Sequence, residues 1–388
     1  MQYVSDIRSI MLDFAASTGL ADNSAKPRRY LWTDAFAVCN FLELSRQTGE
    51  EGFLLTARKL VDQVHFVLGK YSVDDSRKGW ISGLDEHTGY EHPTVGGLRI
   101  GKKLLERKAY ELFDERLEWD RDGQYFHYLT KWMQALARIA AYTGEGQYQR
   151  WALELARASH AAFTYKPAAG KAMKMYWKMS VDLSRALVPS MGHHDPLDAL
   201  TTYLELQATN ACFDSPPSDI KLESEIAECA AMCEARSWAT DDPLGTGSLL
   251  FDAWRLQQIR SGFDISVSVD LSAMLADCES GLTAFQHSGL LKRPAEHRLA
   301  FREFGLSIGL HALARLGALA QKSTNRFSVT EHRQLARLLK FSYLSEVIEN
   351  FWLQSSNRRV STWREHADIN SVMLATSLAP DGYLSLSH

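Results

Sequence analysis

The sequence lacks any cysteine pattern that would bind zinc or build a disulfide framework. Its five cysteines among 388 residues include no Cys-x-x-Cys pair, and most lie among apolar positions with helical spacing. No stretch reaches the roughly 18 apolar residues that a membrane-spanning helix needs, and the first residues include charges rather than an apolar core. We therefore expect a soluble, cytoplasmic protein from a reducing compartment, with no membrane partner.

A concentration of charge of one sign is also missing. The 43 Lys and Arg residues are balanced by 47 Asp and Glu residues, the formal net charge is −4, and the basic residues are scattered. This distribution argues against a nucleic-acid partner. The glycine-containing run at 96–101 lacks Walker spacing, and no Gly-x-Ser-x-Gly nucleophile motif occurs. We therefore predict no nucleotide and no other cofactor.

Apolar residues at helical spacing are abundant. Segments that are apolar over most of their circumference, typical of inner helices, alternate with segments that have one apolar stripe, typical of outer helices. The predicted inner helices lie near 34–47, 124–142, 196–209, 246–260, 299–318 and 369–378, and the predicted outer helices near 3–17, 51–69, 147–163, 219–236, 270–286 and 330–352. The turns Thr48-Gly49-Glu50 and Thr143-Gly144-Glu145 indicate an internal repeat. The pattern predicts an all-α ring of six hairpins, an (α/α)6 toroid, formed by residues 1–388 as a single domain.

Polar and aromatic residues gather where the predicted inner helices begin. In a ring of hairpins the inner helices run the same way, so their N-terminal ends meet at one end of the ring. Long irregular stretches at 70–100, 164–195 and 353–368 have lengths typical of functional loops at such an end. The candidate site residues are Trp32, Asp34, Tyr125, His127, Lys131, Trp177, Lys178, Arg185, His193, His194, Asp195, Arg364 and His366.

Several candidates also have a purely structural interpretation. Asp34 and Asp195 stand where helix caps or first-turn acids are expected, and Pro196 is a common first helical residue. Adjacent imidazoles rarely bind one metal ion, and no His-Glu-x-x-His spacing occurs, so we predict no metal site. Lys178 and Arg185 would pair with the carboxylate of an acidic sugar, or would belong to a surface loop.

The chain resembles the six-hairpin glycosidase superfamily. The run Leu-Trp-Thr-Asp-Ala-Phe at 31–36, followed by Thr-Gly-Glu at 48–50, is similar to the opening motif of unsaturated glucuronyl and rhamnogalacturonyl hydrolases. Residues 84–93 are similar to a segment that follows in those enzymes. Their Arg-Gly-x-Gly-Trp run corresponds here to a different sequence at 121–127. The resemblance implies an (α/α)6 toroid in which Asp34 acts as general acid and base.

Three functions are compatible with these residues. The first is a carbohydrate-active enzyme with a small carbohydrate ligand, a hydrolase of an oligosaccharide or glycoconjugate that uses Asp34 and Asp195 as its carboxylate pair. The second is a sugar epimerase or isomerase in which His127, His194 and His366 carry protons. The third is a non-catalytic sugar-binding or scaffold protein whose acids cap helices. The sequence does not fix the oligomeric state, and a homo-oligomer is compatible with it.

Overall fold

The computed structural model describes residues 3–22, 26–168, 172–263, 265 and 269–386. The helices are α1 (Val4–Ser17), α2 (Leu31–Thr48), α3 (Glu51–Leu68), α4 (Glu86–Glu91), α5 (Glu115–Asp120), α6 (Phe126–Thr143), α7 (Gly146–Phe163), α8 (Asp195–Asn210), α9 (Glu223–Cys233), α10 (Pro243–Gly262), α11 (Leu271–His287), α12 (Ala300–Lys322), α13 (Val329–Leu338), α14 (Tyr343–Leu353), α15 (Ser361–Arg364), α16 (Ala367–Leu378) and α17 (Asp381–Leu384). The strands are β1 (Gln124–Tyr125), β2 (Thr164–Tyr165), β3 (Lys174–Met175), β4 (Lys178–Met179) and β5 (Ala186–Val188). No helix within these ranges is long and apolar enough to cross a membrane.

The chain divides into two compact units. The N-terminal unit comprises the described residues of Ala15–Glu234, and the C-terminal unit comprises those of Met1–Phe14 and Ala235–Leu386. The single domain over residues 1–388 therefore stays a prediction, and each unit is described by itself.

Three helical hairpins build the N-terminal unit. The inner helix α2 packs on α6, and α6 packs on α8, while the outer helices α3, α7 and α9 cover α2, α6 and α8 in turn. Helix α2 is buried without interruption from Leu31 to Ser45. Helix α3 instead buries a single stripe that includes Phe53, Leu60 and Val64. The alternation of fully apolar and one-sided segments in the sequence thus corresponds to inner and outer helices.

The first two hairpins of this unit have the same turn. Gly49 and Gly144 end α2 and α6 with nearly equal backbone angles, φ 72° and ψ 7° against φ 71° and ψ 7°. This left-handed conformation is one that glycine adopts at little cost. In both turns the threonine before the glycine, Thr48 or Thr143, donates its hydroxyl to the carbonyl four residues earlier at 2.7 Å. The predicted internal repeat is therefore present in the structure.

The C-terminal unit is built in the same manner. Its inner helices α10, α12 and α16 pack in that order, with α11 on α10 and with α13 and α14 on α12. A Cβ atom at Gly247 or Gly309 would overlap the backbone of the facing helix, so glycine permits the close approach of α10 and α12. The predicted outer helix 330–352 is two helices separated by a 3₁₀ turn at Leu339–Phe341.

The predicted irregular stretches contain short elements. Stretch 70–100 contains α4, stretch 353–368 contains α15, and stretch 164–195 contains β2 to β5. β4 pairs in antiparallel fashion with both β1 and β5. Because β1 directly precedes α6, this small sheet fastens the stretch 164–195 to the start of an inner helix. Helix α5 has no counterpart in the sequence-based prediction.

Candidate active site

Five aromatic rings meet where α2 and α6 begin. We call Trp32, Tyr125, His127, Tyr128 and Trp177 the aromatic cluster. The centroid of the Trp32 ring lies 5.8 Å from that of His127 and 5.2 Å from that of Tyr128. The His127 ring lies 5.4 Å from Tyr125 and 6.3 Å from Trp177. The fold thus brings together four of the aromatic residues that the sequence analysis selected.

Local backbone pairing positions Trp177 in the cluster. Tyr125, the last residue of β1, lies opposite Lys178 of β4. The Phe126 N–H at the start of α6 donates to the carbonyl of Trp177 at 3.4 Å. These contacts hold a residue from the stretch 164–195 against the first turn of α6.

His127 contributes the imidazole of the aromatic cluster. Its Nδ1 atom is buried and has no hydrogen-bond partner within the described part of the chain. Burial lowers the pKa of His127 to about 4, an effect that nearby Lys131 reinforces and nearby Asp198 opposes. The imidazole is therefore neutral at pH 7 and is able to accept a proton.

A buried ion pair lies one turn further along α6. Lys131 Nζ is 2.9 Å from Asp198 Oδ1, and the Thr130 hydroxyl donates to Asp198 Oδ2 at 2.5 Å. His127, Thr130 and Lys131 share one face of α6, because residues three and four positions apart are neighbours on a helix. Asp198 lies in the first turn of α8, where a helix N-terminus stabilises a carboxylate. The ammonium of Lys131, which we expected to bind substrate, is engaged by this carboxylate.

Three further predicted residues, His193, His194 and Asp195, lie at or just before the start of α8. His194 is the N-cap and Asp195 is the first helical residue, so the cap falls one position earlier than the structural interpretation of Asp195 proposed. The rings of His193 and His194 lie 4.7 Å apart. Asp195 is buried, and its carboxylate lies so close to Gly192 that a Cβ there would overlap it. Within the described ranges, no group of three or more His, Cys, Asp or Glu side chains is placed to hold a metal ion.

Asp34 is fixed by neighbours in its own hairpin. It is 1% exposed. Its Oδ1 accepts a hydrogen bond from Arg29 Nη1 at 3.3 Å, and its Oδ2 accepts one from the Tyr30 N–H at 2.8 Å. Tyr30 is the N-cap residue of α2. The backbone N–H groups at a helix N-terminus have no intrahelical acceptor, and the Asp34 carboxylate accepts a hydrogen bond from one of them. This setting agrees with the structural interpretation that the sequence left open for Asp34.

Lys178 and Arg185 are also engaged within the protein. The fully buried Lys178 ammonium donates to the Glu118 carbonyl at 2.6 Å, the Arg121 carbonyl at 2.9 Å and Glu118 Oε1 at 3.0 Å. These three bonds use every donor of an ammonium group. Arg185 donates to the carbonyl of Arg107. Both side chains fasten the β4–β5 hairpin to the segment that carries α5.

Two predicted residues lie in the C-terminal unit. Arg364 ends α15, and His366 is the N-cap residue of α16, so both precede an inner helix as expected. Both are exposed, and the His366 ring lies 5.3 Å from the ring of Phe301.

Sequence reasoning missed three aromatic residues of the site. The hydroxyls of Tyr30 and Tyr128 lie 2.8 Å apart, and burial raises the pKa of both phenols. Trp119 of α5 packs edge to face against Trp177, with centroids 4.8 Å apart. Tyr30 and Tyr128 could have been predicted as site residues from the sequence, because they stand beside Trp32 and His127 at the starts of predicted inner helices. Trp119 had no such signal, because α5 is too short to show helical periodicity.

Comparison with known proteins identifies the fold. No protein-family model matches the sequence, and no curated protein matches it. The GH76A alpha-1,6-mannanase from Salegentibacter sp. HEL1_6 is 10% identical, with a TM-score of 0.51 over 97% of this chain and 99% of that chain. The chain therefore has an all-α fold of the (α/α)6 toroid class. The fold class predicted from the sequence is therefore confirmed.

Two further solved structures are similar. An inactive variant of the same mannanase, in complex with alpha-1,6-mannotriose, matches with 10% identity and a TM-score of 0.51 over 98% of this chain and 100% of that chain. A cellobiose 2-epimerase from Spirochaeta thermophila DSM 6192 is 12% identical, with a TM-score of 0.49 over 97% of this chain and 99% of that chain.

Proposed function

We propose that this chain is a carbohydrate-active enzyme whose aromatic cluster binds a sugar ring and whose His127 moves a proton. Aromatic faces suit the C–H face of a sugar, and nearby polar atoms bind its hydroxyl groups. Two buried polar atoms of the cluster, Trp32 Nε1 and His127 Nδ1, have no hydrogen-bond partner among the described residues. Buried polar groups are almost always paired. Because both atoms are covered by neighbouring side chains, a ligand hydroxyl group would supply a partner to them once these side chains move apart.

At pH 7 His127 is in the form that accepts a proton rather than the form that donates one. With a pKa of about 4, the imidazole is neutral at pH 7. A neutral imidazole accepts a proton, whereas the general acid of a hydrolase must begin the reaction with one. In an open-chain sugar, the C–H bond beside the carbonyl breaks, the proton moves to His127, and the electron pair enters an enediolate. If the enediolate turns over relative to His127, return of the proton to the same carbon gives the epimer. Return of the proton to the neighbouring carbon, with transfer of the O2 hydroxyl proton to O1, gives the isomer.

Hydrolysis by Asp34 and Asp195 has less support from the geometry. Such a pair needs two carboxyl groups about 5 to 10 Å apart on either side of the glycosidic bond. Both carboxylate oxygens of Asp34 accept hydrogen bonds from the protein itself, from Arg29 and from the Tyr30 N–H. We therefore favour an epimerase or isomerase over a hydrolase, and one experiment separates the two reactions.

The experiment uses isotopically labelled water. The purified protein is incubated with hexoses and with di- to tetrasaccharides of glucose and mannose, in D₂O and separately in H₂¹⁸O, and the products are analysed by mass spectrometry and NMR. An epimerase or isomerase introduces deuterium at the carbon beside the carbonyl and leaves the chain length unchanged. Shorter chains, with ¹⁸O entering the new reducing end faster than in an enzyme-free control, would instead assign hydrolysis. Sugar binding without either label would refute an enzyme and support a sugar-binding protein.

Two variants connect the reaction to His127. His127→Gln is expected to slow deuterium incorporation by about 10²- to 10⁴-fold, the usual contribution of a general base. His87→Gln is the matched control, because the His87 side chain is 85% exposed and lies outside the aromatic cluster. Circular dichroism establishes that both variants are folded. Full activity of His127→Gln would remove His127 from the reaction.

A further inference from the structure

Trp119 is an aromatic side chain held at the surface by a fixed segment. It lies on α5 and is 44% exposed. The preceding residue, Glu118, is buried, and its carboxylate binds Lys178 at 3.0 Å and Arg107 at 3.0 Å. These ion pairs anchor α5, so Trp119 is exposed on a segment that is fixed to the rest of the unit. Large apolar surface that is held in water in this manner commonly marks a binding site.

Trp119 continues the aromatic cluster outward. Its ring centroid lies 4.8 Å from that of Trp177 and 6.2 Å from that of Tyr125. Trp177 in turn lies 6.3 Å from His127. The Trp177 and Tyr125 centroids are 5.9 Å apart, so the rings of Trp119, Trp177 and Tyr125 form a compact group. Trp119 is the exposed member of this group and Tyr125 is buried.

A carboxylate lies beside Trp119. Asp120 follows Trp119 in α5 and is exposed. Its charge contributes to the raised pKa of Tyr125, so the carboxylate lies near that ring as well. A carboxylate beside an aromatic face provides a hydrogen-bond acceptor for sugar hydroxyl groups.

We propose that Trp119, which packs on Trp177 at the edge of the aromatic cluster, forms an outer sugar subsite with Asp120 as its hydrogen-bonding group. The substrate is then an oligosaccharide: one ring occupies the aromatic cluster and a following ring stacks on Trp119. This inference rests on the proposed function only in placing the reacting ring in the aromatic cluster. A competing occupant is a second copy of the chain, since Tyr110 and Leu112 of the same segment are 80% and 93% exposed.

The test measures how affinity depends on chain length. Isothermal titration calorimetry compares mannose with alpha-1,6-mannotetraose, and glucose with cellotetraose, on the wild type and on Trp119→Ala. We expect the wild type to bind a tetrasaccharide more tightly than the monosaccharide. Trp119→Ala is expected to lose about three- to tenfold in tetrasaccharide affinity, the range of one aromatic stacking contact, with monosaccharide affinity unchanged. Trp119→Phe keeps a ring and is expected to retain most of the gain.

Tyr90→Ala is the matched control. Tyr90 is a 64% exposed aromatic residue of α4, and its removal is expected to leave both affinities unchanged. Equal binding of short and long chains by the wild type, an equal loss for both in Trp119→Ala, or no binding of any probe overturns the subsite. Sedimentation measures self-association of the wild type and of the variants. If only Trp119→Ala loses self-association while its sugar binding is intact, the surface is assigned to a second copy of the chain. Length-dependent binding without deuterium incorporation removes the proposed function and leaves the subsite in place.

Discussion

Arg29 binds the carboxylate of Asp34, five residues later in the chain, with Nη1 and Oδ1 3.3 Å apart. The same spacing joins Arg298 to Glu303 in the C-terminal unit, where Nε lies 2.8 Å from Oε1. In both pairs the arginine precedes an inner helix and the acid is the fourth helical residue. Both pairs are buried. This repetition in two units indicates a structural device of the fold.

Replacement of Asp34 is therefore expected to act on stability. Asp34→Asn leaves the Arg29 guanidinium buried without its charged partner, and we expect a loss of about 2 to 4 kcal/mol in the free energy of unfolding. Denaturant unfolding measures this loss. Glu303→Gln is expected to give a similar loss, whereas Glu51→Gln, at an exposed first-turn position of α3, is expected to be nearly neutral. Unchanged stability with a hundredfold loss of activity would instead assign Asp34 to catalysis.

The pH dependence of the reaction is expected to follow His127. Proton abstraction needs the neutral imidazole, and the folded pKa of about 4 lies below the ordinary value near 6.5. Activity should therefore persist as the pH falls from 7 to 5 and decline as it falls through about 4. The measurement is kcat/KM against pH, which reports the free enzyme. A midpoint near 6.5 would show a solvated imidazole, and a rate that increases on acidification would contradict a base.

His65 is expected to make the fold sensitive to acid. It is 4% exposed, accepts a hydrogen bond from Trp132 Nε1 at 3.1 Å, and burial lowers its pKa to about 3. Below about pH 6.5 the unfolded chain binds a proton that the folded chain excludes, so stability falls with decreasing pH down to the folded pKa. One such group contributes about 1.4 kcal/mol per pH unit.

The measurement is urea unfolding between pH 7 and pH 4.5 on the wild type and on His65→Gln. The variant is expected to be less stable at pH 7 but to show a shallower decline on acidification, because glutamine does not titrate. His87→Gln, which alters an exposed imidazole, should keep the wild-type slope. Parallel slopes in all three proteins would remove His65 as the acid-sensitive group.

Lys178 is expected to stabilise the site without binding the substrate. Lys178→Met leaves the buried Glu118 carboxylate with Arg107 alone, and a loss of about 2 to 4 kcal/mol in unfolding free energy is expected. Lys174→Met, at an exposed position of β3, is the control and should be nearly neutral. Binding of glucuronic acid is compared with binding of glucose in each variant. A selective loss of glucuronic acid binding at wild-type stability would restore the prediction that Lys178 pairs with an acidic sugar.

The sequence by itself determined the helices and their arrangement in hairpins. Inner helices such as α2 are apolar over most of their circumference because they are covered on several sides, and this requirement is visible in one segment at a time. The turns at Gly49 and Gly144 are equally local, since a left-handed residue after a helix needs only the glycine itself. The short elements α5 and β1 to β5 were missed because two to six residues show no periodicity.

Only the tertiary structure decided what each candidate residue does. A carboxylate or an ammonium is available to a ligand only when neighbours distant in sequence leave it so. Lys178 is engaged by Glu118, 60 residues away, and Lys131 by Asp198, 67 residues away. His127 acquires its lowered pKa and its aromatic neighbours from packing between α2, α6 and the β1–β4 pairing. The sequence thus selected the region of the site, and long-range contacts assigned the roles within it.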